Sequence, residues 1–571
     1  MTPTAEQHAI RAASGRIARI NARAGTGKTT TLKLVANAYP QERILYLVFN
    51  RHAREEAKRS FPKHVDAQTV HSLAFRAEGS RWRDTLGHFS PADMLFAFGA
   101  KEQLLATVSH DFLVYFLNSP HDVLEKAILS FKMYLSEQTK DLFLHEQGRI
   151  LDACRAVATA WNNGQKQCPH DFYLKMSHKS GAFQAALNRY DMLLVDEAQD
   201  LSPIMLDALK QYRKRIFLVG DSHQQIYSFR YAIDAMRKIV SDDTFELSQS
   251  FRFGCRIAEL VSLFIQEAKR EPQFRIDGNE RVASSVSFAQ QIQPASTSET
   301  VAALSRTNVA LFENAMELRS RKIPFRFERD LYPLLLRTLD VYWLADARTQ
   351  NIRDPLIRSF KNLDELERYA EETDNFQMQG MIEIVEKYAP DFPGVVFEFG
   401  EITKKERNAA DAPGVILSTI HSAKGQEYDR VYLHADMAEN LARLGDKEHA
   451  PDDDEINVAY VGLTRAKRQL CLPPEFTDIL TPRWTQYLAA HHEENLSKQA
   501  ETRQHSSRRK PAPTQPPLAA SNTDANLRPG DRVVTMLGVG TILEVSGDYC
   551  LVDLGTHRTK LRKRIENLRR T

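Results

Sequence analysis

Cysteine is scarce in this 571-residue chain. The five present, Cys154, Cys168, Cys255, Cys471 and Cys550, stand far apart with no CxxC pair. That spacing argues against a zinc ribbon, a disulfide scaffold and a sequence-local iron–sulfur motif, and it fits a reducing compartment. Net charge is also missing: 76 Lys and Arg against 74 Asp and Glu leave +2. No global basic field marks a polyanion partner, so any such site must be local. No apolar run approaches the roughly 18 residues of a membrane span. The N-terminus, MTPTAEQHAIRAASGR, lacks the basic–apolar–small order of a secretory signal. Neither a secreted nor a membrane-spanning protein is expected on these grounds. No internal repeat with the period of a solenoid or propeller is visible.

What is there is ordinary globular usage, 42% hydrophobic and 26% charged residues, enough to bury a large core. About three to five structural units are expected at this length. RIARINA at 16–22 reads as a strand, followed by a glycine turn and the helical TTTLKLVANAY. RILYLVF at 43–49 is apolar throughout, as a strand covered on both faces should be. MLLVDEAQD (192–200), RIFLVGDS (215–222), VAALSRT (301–307), GVILSTI (414–420) and RVYLHAD (430–436) continue the pattern. Strands alternating with helices predict parallel α/β sheets. Residues 80–180 and about 333–405 instead carry apolar residues at helical spacing. Residues 494–527 lose apolar periodicity and are rich in Ser, Pro, Gln and Ala, which predicts a disordered linker. Short β-branched runs in 528–571, separated by Gly and Asp turns, predict a small β-barrel.

The strongest motif is AGTGKTT at 24–30, the tail of a P-loop between a predicted strand and helix. Gly25 and Gly27, in the turn Ala24–Thr26–Gly27, let backbone N–H groups face phosphates. Lys28 is placed to reach the β- and γ-phosphates of ATP, and the Thr29 hydroxyl to ligate Mg²⁺. The helix N-terminus adds a favourable field for the anion. In LLVDEAQD at 193–200 an apolar strand delivers Asp196 and Glu197 to its C-terminal end, where ligands of open α/β sheets bind. Asp196 suits Mg²⁺ through water, and Glu197 suits general-base work on the attacking water. The bland alternatives, a capping glycine turn and a solvated acidic turn, lose weight because the two motifs occur together.

The order of motifs over roughly residues 4–475 resembles superfamily 1 DNA helicases of the UvrD/Rep type. TAEQ at 4–7 is similar to that family's adenine-reading glutamine motif and points to Gln7. VGDSHQQIYSFRYA at 219–232 carries over Gln224 as γ-phosphate sensor and sets Tyr227, Phe229 and Arg230 toward a single strand. SFRF at 250–253 implies Phe251 stacking on adenine and Arg252 on the γ-phosphate. TIHSAKGQEYD at 419–429 implies that His421, Lys424 and Gly425 couple to DNA and that Glu427 touches the nucleotide. AYVGLTRAK at 459–467 makes Arg465 the arginine finger from the second lobe. Phe49, Asn50, Thr69, His71 and Arg306 complete the expected DNA contacts, each with a plain structural alternative. FNRHA, TVHSLAF and LSQSFRFG look more like the F-box DNA helicase branch than like UvrD itself. Three departures stand out. Thr30 lies where such proteins commonly have an arginine near adenine, Gln225 replaces the usual Ser, and Tyr231 replaces the usual Gly. The few residues before Gln7 leave no room for an F-box, so a ubiquitin-ligase role is not expected.

The resemblance implies an α/β fold of two RecA-like P-loop NTPase lobes with helical insertions, plus a C-terminal SH3/Tudor-like β-barrel similar to that of UvrD and PcrA. The expected boundaries are 1–79 and 181–255 for the first lobe, with its helical insertion at 80–180. The second lobe is expected at 256–332 and 406–493, with its compact insertion at 333–405. The linker is 494–527 and the barrel 528–571. The implied activity is ATP- and Mg²⁺-dependent translocation on single-stranded DNA and 3′→5′ unwinding of 3′-tailed duplex, in repair or recombination. A translocase that mainly strips proteins, an RNA helicase and a P-loop regulatory ATPase stay open as alternatives. The barrel would meet RNA polymerase or a repair protein. A monomer with no membrane partner is expected, in the bacterial cytoplasm at the nucleoid, with a nuclear setting left open.

Overall fold

A strand that is apolar at every position needs cover on both faces, and such strands organise both lobes. The computed structural model describes residues 2–477, apart from 49, 100, 290, 295–298, 407–413 and 442–452, then residue 528 and five strand segments between 532 and 570. The first sheet comprises β1 (Ile17–Ala22), β2 (Ile44–Val48), β3 (Val65–Thr69), β4 (Met192–Val195), β5 (Arg215–Gly220) and β6 (Asp243–Leu247). Its order is β3-β2-β4-β5-β1-β6, with every pairing parallel. All residues of β2 and β4 are buried. The second sheet comprises β7 (Ser285–Phe288), β8 (Val301–Ser305), β9 (Phe325–Phe327), β10 (Val415–Thr419), β11 (Tyr428–Leu433) and β12 (Ala466–Leu472). It too is parallel, in the order β7-β12-β11-β8-β10-β9. The chain therefore holds two parallel α/β lobes, as the alternating pattern predicts.

Helices fill the chain between β3 and β4. Their core is aromatic: the rings of Phe112, Phe131 and Phe143 lie 5.2–5.3 Å apart, and Trp82 and Trp161 are buried beside Phe172. Helices also fill 332–406, between β9 and β10. The two helical regions touch where Thr107 Oγ1 lies 2.6 Å from the Tyr369 hydroxyl and Gln103 Nε2 donates to Ser359 O at 3.0 Å. No described helix is long and apolar enough to cross a membrane.

The chain divides into two units, residues 1–499 and 500–571. In the second, β13 (Arg532–Thr535), β14 (Gly538–Ser546), β15 (Tyr549–Asp553), β16 (Lys560–Arg564) and β17 (Arg569–Arg570) pair antiparallel in the order β16-β15-β14-β13-β17. Among the described residues this is an antiparallel sheet, and no ladder joins β16 to β17 to close it. The linker 494–527 lies outside the described residues.

Candidate functional site

β1 ends at Ala22, and the chain turns through Ala24–Gly27 into the helix Lys28–Ala38. Gly25 and Gly27 have φ of +74° and +78°, a region that favours glycine. A Cβ on Gly25 would stand 2.6 Å from Arg252 Cβ and 2.7 Å from Ser250 Oγ, so the turn is also packed too tightly for a side chain. Phe251 N–H donates to Gly25 O at 2.8 Å, and Thr26 Oγ1 donates to Arg23 O at 2.8 Å. Gln7 and Phe251 flank Gly27, each about 3.5–3.6 Å from where its Cβ would be. Gln7 is buried, and its Nε2 donates to Thr31 Oγ1 at 3.1 Å. Thr30 is exposed on the first turn of the helix.

β4 carries Asp196 and Glu197 to the same edge. Lys28 Nζ donates to Glu197 Oε1 at 2.6 Å. Burial pulls the Lys28 pKa down, but Glu197, Asp196 and Asp221 outweigh it and hold the ammonium above its ordinary value. Burial raises the Asp196 pKa, with Glu197 beside it adding to the rise. For Glu197 the burial effect is overcome by Lys28 and Lys424, and its pKa falls. Glu197 adopts φ +50°, a backbone conformation that costs a non-glycine residue on the order of 1–3 kcal/mol and that clusters at functional sites.

The second lobe closes over this edge. Arg252, just after β6, donates through Nε to Glu427 Oε2 and through Nη1 to Thr464 O, both at 2.9 Å. Arg465 is 1% exposed and spends its guanidinium on Val461 O, Gln426 O and Thr464 Oγ1 at 3.0–3.2 Å. Burial, with Arg252 adjacent, pushes its pKa down to about 9, so it stays cationic at neutral pH. Gln224 Nε2 donates to Asp221 Oδ2 at 2.7 Å.

The segment after Gln224 leads out to a strip of rings. Tyr227 OH donates to His421 O at 3.2 Å, and the Phe229 ring meets His421 edge-on at 5.8 Å. Phe229 is 63% exposed. Burial, then Arg306 nearby, lowers the His421 pKa to about 4, so the imidazole is neutral. Lys424 is nearly buried. It pairs with Asp200, donates to Gln224 O at 2.6 Å and lies 4.9 Å over the Tyr227 ring. The structure therefore turns Lys424 inward, between Asp200 and the Tyr227 ring. Arg306 pairs with Glu455, its Nε donating to Oε2 at 2.9 Å. Asn50 and Thr69 cap helices, accepting from Ala53 N–H at 2.8 Å and Ser72 N–H at 3.1 Å. His71 Nε2 lies 2.8 Å from Asp171 Oδ1. Phe49 and the side chain of Arg230 lie outside the described residues. A cavity of about 500 Å³ runs between the carboxylates of Asp196, Glu197 and Asp200 and the rings of Tyr227, Phe229 and Tyr231.

A family profile for an AAA domain matches residues 6–230, and one for the UvrD-like helicase C-terminal domain matches 345–473. The chain contains UvrD-like helicase domains. It is 29% identical over 506 residues to F-box DNA helicase 1 of Gallus gallus, covering 82% of this chain and 48% of that protein. F-box DNA helicase protein 1 of Schizosaccharomyces pombe is 26% identical over 506 residues, covering 81% and 56%. ATP-dependent DNA helicase PcrA of Bacillus subtilis is 25% identical over 211 residues, covering 34% and 28%. The chain spans about half the length of the two F-box relatives.

The UvrD-like cleft includes residues that sequence reasoning passes over. Tyr460 of the second lobe accepts from Ala24 N–H at 3.2 Å and donates to Asp221 Oδ2 at 2.9 Å, joining the P-loop to the start of the ring-bearing segment. Gln199 accepts from Asp221 N–H at 3.1 Å and also bonds Glu197. Tyr46 on β2 donates to Asp196 Oδ2 at 2.6 Å. Tyr460, Asp221 and Gln199 lie inside recognisable motifs, whereas Tyr46 carries no sequence signal. The site also fits Mg²⁺. Asp196 and Glu197 are two half-buried carboxylates beside the ammonium of Lys28, and Thr29 lies on the first turn of the helix that Lys28 opens. Mg²⁺ commonly takes one or two protein oxygens and fills its shell from phosphates and water.

Proposed function

We propose that the chain is an ATP-dependent translocase on single-stranded DNA and a 3′→5′ DNA helicase. The observation that carries this reading is the segment from Asp221 to Phe229. Its first residues bond the P-loop wall through Tyr460, and its last present an exposed ring beside His421. A regulatory ATPase has no need for an exposed ring, backed by Tyr227 and His421, on the same segment that bonds its P-loop wall.

In this reading Gln7 and Phe251 hold adenine, and the Ala24–Gly27 turn cradles the phosphates. Thr29 and Asp196 hold Mg²⁺, which when bound would neutralise phosphate charge. Lys28 leaves Glu197 to reach the β- and γ-phosphates, freeing that carboxylate to take a proton from the attacking water. Gln224, Arg252 and Arg465 bind the γ-phosphate as charge develops on it, an effect worth ~10³–10⁵ in rate for an arginine finger. Loss of that phosphate removes the contacts that favour closure, so hydrolysis biases the cleft open. Tyr227 and Phe229 offer stacking faces worth about 1–3 kcal/mol per base, without sequence preference.

The compact helical region 332–406 favours a second reading, in which the motor mainly strips proteins from single strands. The 500–571 unit, read as an SH3/Tudor-like barrel, would recruit RNA polymerase or a repair protein. Strand displacement with 3′-tailed and 5′-tailed duplexes tests the polarity. Unwinding of 3′-tailed substrate is expected, and unwinding confined to 5′ tails would sink it.

A further inference from the structure

Tyr231 stands two residues beyond Phe229 with φ +62°, where side-chain-bearing residues rarely sit. Its side chain compensates by docking on the helical region between β3 and β4. The hydroxyl donates to Asp111 O at 3.3 Å, and the ring meets Tyr115 and Tyr134 edge-on at 5.0 and 5.1 Å. Tyr115 and Tyr134 also touch, at 5.4 Å. Phe229 and Tyr231 line the same cavity, and Tyr231 leads from it to a second exposed surface. Tyr134 is 51% exposed and Met133 is 85% exposed, and Lys132 is half-buried beside them. One turn earlier, Leu129 is 75% exposed.

We propose that Tyr134, with Met133 beside it, is a stacking site for a base of single-stranded DNA, extending the ring strip from the first lobe onto its helical insertion. This inference rests on the DNA reading above. The chemistry suits that occupant. The Tyr134 ring is held by two other tyrosines while half of the residue faces solvent, so little side-chain entropy is left to lose on stacking. Met133 adds a polarisable apolar neighbour, and Lys132 adds a cation for the backbone. An exposed apolar group built on a rigid aromatic support, joined through Tyr231 to the cavity that Phe229 lines, fits a flat π-faced ligand. Tyr231 is the link: with the family's glycine at that position, no ring would join the two surfaces.

The test uses the full chain and a fluorescein-labelled oligo-dT. Tyr134→Ala should weaken binding about tenfold, the equivalent of one lost stack. Tyr134→Phe should bind like the parent, and ATP turnover without DNA should be unchanged in both. An oligonucleotide carrying 5-iodouracil should cross-link to the peptide containing Tyr134. Parental affinity for Tyr134→Ala, with Phe229→Ala still weakened, would overturn this site and leave the DNA reading intact. A parent chain that binds no oligo-dT would overturn both. Melting curves guard against misfolding, and cross-linking of the parent chain needs no variant at all.

Discussion

Single atoms set the cleft. The Tyr460 hydroxyl both accepts from Ala24 N–H and donates to Asp221, and Ala24 is 1% exposed. Tyr460→Phe keeps the ring but leaves that buried N–H without its acceptor, a loss of roughly 1–3 kcal/mol. The expected result is a fall in kcat/KM for ATP of about tenfold or more, with affinity for single-stranded DNA reduced as well, because the same hydroxyl ties the P-loop to the Asp221–Phe229 segment. Steady-state ATPase and oligonucleotide binding check it, and unchanged kcat/KM would refute the bridge. At this scale legibility is uneven. Lys28, Asp196 and Glu197 are visible in the chain because phosphate and water chemistry demands those groups at fixed spacing after a strand, whereas Gln224 is reached only through the family resemblance. Nothing in AYVGLTRAK distinguishes the Tyr460 hydroxyl from a core aromatic, and Tyr46 sits inside an apolar run. Lys424 shows the opposite difficulty. Its motif points it to DNA, but only the fold reveals Asp200 waiting for it in the other lobe.

Among elements, burial decides what the sequence reveals. β2, β4, β5, β8 and β10 are interior strands marked by apolar runs, whereas the interior strands β1 (IARINA), β11 (YDRVYL) and β12 (AKRQLCL) carry polar residues within them. The four strands at the sheet edges, β3 (VDAQT), β6 (DTFEL), β7 (SVSF) and β9 (FRF), are short or half-exposed and carry no such run. The helical region between β3 and β4 contains a buried charge that makes its own prediction. Lys175 is 1% exposed, caps the end of the helix Gln103–Asn118 by donating to Ser119 O at 2.7 Å, and lies 4.0 Å over the Phe116 ring. Burial lowers its pKa from 10.5 to about 7. Between those values the unfolded chain binds the extra proton, so stability rises with pH, by at most about 1.4 kcal/mol per unit. The contribution is complete above the unfolded value and lost as pH falls through about 7. Thermal melts from pH 7 to 10 should show a shallower rise for Lys175→Met than for the parent. Parallel curves would contradict the assignment.

The whole molecule works through its cleft. Arg252 reaches Glu427 and Thr464, Tyr460 reaches Asp221, Lys424 reaches Asp200, and Asn457 Nδ2 donates to Gln225 O at 2.7 Å. Every one of these bonds ties a nucleotide-edge or ring-strip residue of one lobe to the other. Under the proposed function, opening the cleft would therefore disturb ATP turnover and DNA binding together, and a single strand seated on Tyr227 and Phe229 should favour the closed arrangement. Two parallel lobes were legible from alternating strands and helices, but their mutual closure was not, because it depends on side chains far apart in the chain. The most direct measurement is the ATPase rate with and without single-stranded DNA, alongside single-stranded RNA and Lys28→Ala. The account predicts strong stimulation by DNA, abolished in Lys28→Ala. A rate indifferent to DNA would contradict it.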